Sequence, residues 1–184
     1  MMLKGTGFYL RRFTQFDGRS MVDNWCSDPL VTQFVSWDVP LSLKAAQVLL
    51  NQWLKDYFDP HVVRFNIVDA NTHQSIGMID TVDYDLDNDT LEIGYLLART
   101  HWNKKIMSEA LRLMIDYCFK HHASLNKIIA KHSVDNAASG QVMRNAHMRL
   151  EGCMKEALKV DDIYLDVLHY AILKKEYLLT YGKL

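Results

Sequence analysis

Apolar and polar residues alternate along 7–13, with Phe8, Leu10 and Arg12 on one side and Tyr9, Arg11 and Phe13 on the other, which predicts a strand. From Asp17 to about Cys26 the spacing turns helical, and Ser27-Asp28-Pro29 turns the chain. Ser42 is a good N-cap for a helix carrying Ala45, Ala46, Leu49, Leu50, Trp53 and Leu54 on one side, ended by Asp59-Pro60. Alternation then returns. Val63, Phe65 and Ile67 form one strand and Asp69 to Gln74 a polar turn, before strands over Ile76–Val82 and Leu91–Leu97. In the last, Leu91, Ile93, Tyr95 and Leu97 share a face opposite Glu92, Gly94 and Leu96. The block reads as an antiparallel meander.

A 3.6-residue period follows. Ala110, Leu113, Met114, Tyr117 and Cys118 form a stripe widened by Leu111 and Ile115, the mark of a helix buried against a sheet. Lys127–His132 reads as a strand, and Asn136 can cap a helix to about His147. Two strands over about 148–160 and 163–173 meet at Asp161-Asp162. The order β-α-α-β-β-β-α-β-α-β-β predicts an α+β domain with a central mixed, mostly antiparallel sheet of about seven strands flanked by helices. The chain contains no repeat or low-complexity segment, and Pro29, Pro40 and Pro60 are its only prolines, so residues 1–184 read as a single domain.

The 184 residues include 21 Lys+Arg, 22 Asp+Glu and 8 His, a formal charge of -1 that gives no general attraction to nucleic acid or anionic membrane. No apolar run approaches a membrane span, and the start lacks the apolar region of a secretory signal. Cys26, Cys118 and Cys153 are odd in number and far apart, which suits reduced thiols and a cytoplasmic protein. Asp83, Asp85 and Asp87 imitate the opening of a calcium loop, but Asn88 and Gly94 stand where its glycine and bidentate glutamate belong. His121-His122 has no ligand set around it, so no metal site is expected. Trp25, Trp37, Trp53 and Trp102 are expected as core or pocket walls.

The run from Glu92 to Leu111, EIGYLLARTHWNKKIMSEAL, resembles the cofactor motif of the GCN5-related N-acetyltransferases (GNAT). Val134-Asp135-Asn136-Ala137-Ala138-Ser139 with Val142-Met143-Arg144-Asn145 resembles the family's cofactor-side helix. Leu150 to Ala157, with Asp166 and Tyr170-Ala171, resembles the ending of its Rim-type ribosomal-protein N-terminal acetyltransferases. The resemblance implies a splayed sheet that binds acetyl-CoA and passes its acetyl group to a primary amine, on a protein N-terminus of the ribosomal-protein-alanine type or a small molecule.

Residue by residue, the resemblance implies backbone donors from Asn103, Lys104, Lys105, Ile106 and Met107 around the pyrophosphate, supported by the Ser108 hydroxyl. The helix dipole and unpaired N–H groups favour an anion there. The family's Arg/Gln-x-x-Gly-x-Gly/Ala aligns with Trp102–Met107, so Lys105 and Met107 replace two small residues. Lys104 and Lys105 can instead meet phosphate directly, whereas Met107 can block the site. A backbone N–H near Leu96-Leu97 would serve the oxyanion. Asn136 would bond the pantetheine arm, cap the helix, or do both. Ser139 would protonate the leaving sulfur, since the tyrosine position of other members is Met143. Leu158 stands where relatives carry a glutamate base, which leaves Glu92, acting through water, as the base or as a structural carboxylate. The other reading is a catalytically degenerate protein of this fold that binds acyl-CoA or a partner. A homodimer stays open.

Overall fold

The computed structural model describes residues 1–35, 38–160 and 162–182; Trp37 and Asp161 lie outside them. The elements form a mixed α+β fold with an eight-stranded sheet of order β1-β2-β3-β4-β5-β6-β8-β7. Of the strand pairs whose register is defined, only β5–β6 is parallel. The chain divides into two compact units, residues 1–80 with 95–110 and residues 81–94 with 111–184.

In the first unit β1 (Met2–Gly5) and β2 (Phe8–Arg11) form a hairpin. Its turn holds Gly7 at φ 78, a conformation glycine adopts without steric cost. β1 is the eighth strand, absent from the sequence expectation because its four residues carry too little alternation. The expected helix after Asp17 is α1 (Gly18–Met21) continued by a π turn over Val22–Cys26. The Asp28 carboxylate accepts from Leu30 N–H and caps α2 (Pro29–Thr32), where the sequence suggested only a turn. Ser42 caps α3 (Leu43–Asp56) through Ala45 N–H at 3.2 Å. The core includes Phe8, Leu10, Phe13, Trp25, Leu50, Phe65 and Ile67, each at most 2% exposed.

Strands β3 (Arg64–Asp69) and β4 (Ser75–Asp85) pair antiparallel, setting Arg64 opposite Asp80. The Arg64 guanidinium reaches Asp80 at 3.1 Å and Asp56 at 2.9 Å and lies over the Trp53 ring. Two carboxylates share one cation here.

The second unit takes the end of β4 and the start of β5 (Thr90–Leu97), most of α4 (Ile106–His121), β6 (Lys127–Ser133), α5 (Ala137–Asn145), β7 (Arg149–Val160), β8 (Ile163–Leu173) and α6 (Lys174–Tyr181). On α4, Ala110, Met114 and Cys118 of the expected stripe and the flanking Leu111 and Ile115 are fully buried, while Leu113 and Tyr117 are half-buried. Asp85 accepts from Asn88 N–H and Nδ2, so the acidic run braces a hairpin turn. No cluster of metal-ligating side chains occurs among the described residues. The long hairpin matches its expected limits, and β7 bulges between Met154 and Leu158 with Glu156 at φ 51. Asp166 pins the bulge through Lys155 Nζ at 2.7 Å and Glu156 N–H at 3.0 Å. Helix α6 was not foreseen; Tyr177 anchors it through Asp116 at 2.6 Å.

Burial pushes the Asp80 carboxyl up to about 6, against the pull of Arg64. Because the folded value lies above the unfolded 3.8, the group's stabilising contribution is complete below pH 3.8 and disappears as pH rises through about 6. Asp80→Asn should therefore remove a downward slope in stability across that window. Urea midpoints of both proteins between pH 4 and 7 check this, and parallel curves would contradict it.

Candidate active site

The first unit supplies a strand end, a turn and the start of a helix. At the end of β5, Leu96 and Leu97 are each 8% exposed. Their backbone presses on Gly77 of β4, where an added Cβ would stand 2.4 Å from the Leu96 carbonyl oxygen and 3.0 Å from Leu97 Cα. Ala98 N–H closes the junction by donating to Ile76 O at 2.7 Å. Beyond it the chain makes a 3-10 turn over Arg99–His101, anchored by Arg99–Asp28 at 2.8 Å and His101–Asp69 at 3.3 Å. Backbone N–H groups of Thr72 and Asn71, with His101, hold the Asp69 carboxyl below its usual range. Trp102 is 40% exposed and so is no core residue, and its indole N–H donates to Leu97 O at 2.7 Å. Trp25 and Trp53 are buried as expected.

Asn103, Lys104 and Lys105 are exposed, and both Asn103 and Lys105 take the left-handed conformation, at φ 60 and 61. Asparagine tolerates this region, while a lysine there costs about 1–2 kcal/mol. Lys105 therefore keeps the backbone shape that the resemblance assigns to glycine. The first intrahelical bond of α4 runs from Glu109 N–H to Lys105 O, so Ile106, Met107 and Ser108 form the first turn, whose N–H groups precede the helical ladder. The side chains of all three are buried, Met107 at 6% exposure. The Glu109 carboxylate accepts from Thr6 N–H and Oγ1, which ties the β1–β2 turn to the same helix start.

The second unit carries the other expected residues. Strand β5 pairs with β6 in parallel only over Thr90–Glu92 and Lys127–Ile129 among the described residues, although β6 continues to Ser133. Asn136 caps α5, its Oδ1 accepting from Ser139 N–H at 3.2 Å. That leaves its Nδ2 with no hydrogen bond among the described residues, so capping and ligand contact are compatible. Ser139 is half-buried in the first turn, and Met143 is buried one turn on. Glu92 meets Lys131 Nζ at 2.5 Å, an ion pair the sequence reading did not contain.

Residues 8–149 match the acetyltransferase (GNAT) domain model. The chain belongs to the GNAT acetyltransferase family. It is 31% identical over 169 residues to the uncharacterized N-acetyltransferase p20 of Bacillus licheniformis, covering 91% of this chain and 93% of that one. It is 38% identical over 96 residues to the ribosomal-protein-serine acetyltransferase of Escherichia coli K12, covering 52% and 53%. RimL, a ribosomal L7/L12 α-N-protein acetyltransferase solved with coenzyme A, shares the fold at TM-score 0.83 and 22% identity, covering 96% of this chain and 99% of that one.

This GNAT protein is thus an acyltransferase, and acetyl-CoA is the family's cosubstrate. Asn103, Lys105 and the first turn of α4 belong to the first unit, and the Asn136 amide to the second. No helix among the described residues is long and apolar enough to cross a membrane. Sequence reasoning missed Gly77 and the Trp102–Leu97 bond. A lone glycine inside an alternating strand was the available signal for the first; the second has none.

Because glycine adopts φ near 60 without steric cost, Lys105→Gly should stabilise the protein by up to about 1 kcal/mol. Gly77→Ala should destabilise it by about 2 kcal/mol or more, since the added methyl meets backbone. Urea unfolding of both variants reads the two signs.

Proposed function

We propose that the protein transfers the acetyl group of acetyl-CoA to the α-amine of a protein N-terminus, with serine or alanine as the first residue. The observation that carries this reading is the loop before α4, where Lys105 keeps the left-handed turn in spite of its side chain. A loop that had lost the function would have no reason to retain that strain. The relatives named as ribosomal-protein acetyltransferases support the substrate class. The three free thiols, Cys26 and Cys118 buried and Cys153 exposed, suit a reducing cytoplasm.

Acetyl-CoA supplies an activated acyl group as a thioester. Backbone N–H groups of the first turn of α4 face its pyrophosphate, with Lys104 and Lys105 adding positive charge. Asn136 Nδ2 donates to a pantetheine carbonyl while Oδ1 keeps the helix cap. A backbone N–H at Leu96 or Leu97 meets the developing oxyanion. Ser139 donates its hydroxyl proton to the departing sulfur.

Acetyl-CoA should raise the melting temperature in a concentration-dependent way, because a ligand of the native state stabilises it. No shift at millimolar acetyl-CoA would overturn the reading. Ser139→Ala should lower kcat about 10²-fold, the low end for a general acid, and leave cofactor affinity nearly unchanged. Asn136→Ala should weaken cofactor binding and also cost about 1 kcal/mol of stability through the lost cap.

A further inference from the structure

The second unit holds a row of charged and titratable side chains on one sheet face. Lys131 of β6 sits opposite His169 of β8, and directly opposed residues of an antiparallel pair share a face. Lys131 reaches Glu92 of β5, so Glu92, Lys131 and His169 cross three strands on that face. Tyr170, the next residue of β8, points the other way, where it is buried and accepts from Arg144 of α5. Along the row Lys127 of β6 pairs with Glu151 of β7 at 2.6 Å.

The position of the row is informative. The last parallel pair of β5 and β6 is Glu92 with Ile129, and the Lys131–His169 pair lies one step beyond on the same face. His169 therefore stands where β6 has parted from β5 but still pairs with β8. Its neighbour across β7 is Gly152, and a Cβ there would meet nothing within 4 Å. Among the described residues the imidazole takes no hydrogen bond, while Glu92 is engaged by Lys131.

We propose that His169 is the base that takes the proton from the acceptor ammonium, with Glu92 and Lys131 acting as positioning residues. This rests on the transfer reading above. The ammonium gives one proton to an imidazole nitrogen, which becomes imidazolium. The neutral amine nitrogen then bonds to the thioester carbonyl carbon and the carbon–sulfur bond breaks. The proton lost by the new amide nitrogen reaches the sulfur by way of Ser139. Ammonium, thioester and imidazole become amide, thiol and imidazolium, with charge conserved.

Partial burial favours the neutral ring, Lys131 and Lys127 reinforce this, and Glu92 and Glu151 oppose it. These are the charged groups of β5, β6 and β7 that act on the ring. The unprotonated imidazole is thus the form present at neutral pH.

The experiment measures coenzyme A release with two peptides, one beginning with serine and one with alanine, as a function of pH. The acid limb of kcat/KM should lie below the ordinary imidazole value. His169→Gln should remove that limb and lower kcat about 10²-fold, with KM for acetyl-CoA and the thermal shift by acetyl-CoA unchanged. Lys131→Met should move the limb to higher pH and Glu92→Gln to lower pH. A His169→Gln protein with full kcat and an intact limb overturns the assignment, as does loss of the limb in Glu92→Gln alone. If the unaltered protein transfers to neither peptide, the transfer reading itself falls, and the assignment with it.

Discussion

The geometry of the site follows from how little of β6 is shared between its two neighbours. Strand β6 pairs with β8 from Lys127 to Ser133 but with β5 only as far as Ile129 among the described residues. Backbone N–H and C=O groups released from a ladder must find other partners or water. Such an edge suits an extended ligand built from amides, as the pantetheine arm is. The same parting brings side chains of β5, β6 and β8 to an open stretch of one face.

Strain is spent at the loop rather than in the core. Lys105 at φ 61 gives up about 1–2 kcal/mol. The turn before it is held by Arg99–Asp28, His101–Asp69 and the Trp102 indole on Leu97 O. All three contacts are polar; the Arg99–Asp28 pair is exposed and contributes little alone, while the other two are part-buried. Together they fix both ends of a segment only a few residues long. A chain so constrained has few conformations to lose when an anion arrives, which is how preorganisation turns modest contacts into affinity.

Local patterns made much of the fold legible. Ser42 before a helical stripe located α3, and alternation around Asp161-Asp162 located β7 and β8. Elements that depend on distant partners were not legible: β1 is held by its hairpin to β2, and α6 by Tyr177 on Asp116. The site divides in the same way. Asn136 and Ser139 were readable because their spacing is that of a capped helix start. The Glu92–Lys131 pair was not, since it joins residues 39 apart and depends on a parallel register no local signal sets. Nor does a lysine advertise a left-handed backbone, so the loop at Lys105 looked more degenerate in sequence than it is in structure.

Charge placement separates the two sides of the chemistry. The exposed loop at Asn103–Lys105 carries only cations, which suits a polyanionic cosubstrate. The row on the sheet face pairs Glu92 with Lys131 and Lys127 with Glu151, so their charges cancel around His169. A neutral surround neither repels an approaching ammonium strongly nor traps it as a permanent ion pair. Were Glu92 unpaired beside the acceptor, it would hold the ammonium in its charged, unreactive form. Engaging that carboxylate with Lys131 removes the trap, which under the proposed assignment leaves proton removal to the His169 ring, held toward its neutral form by partial burial.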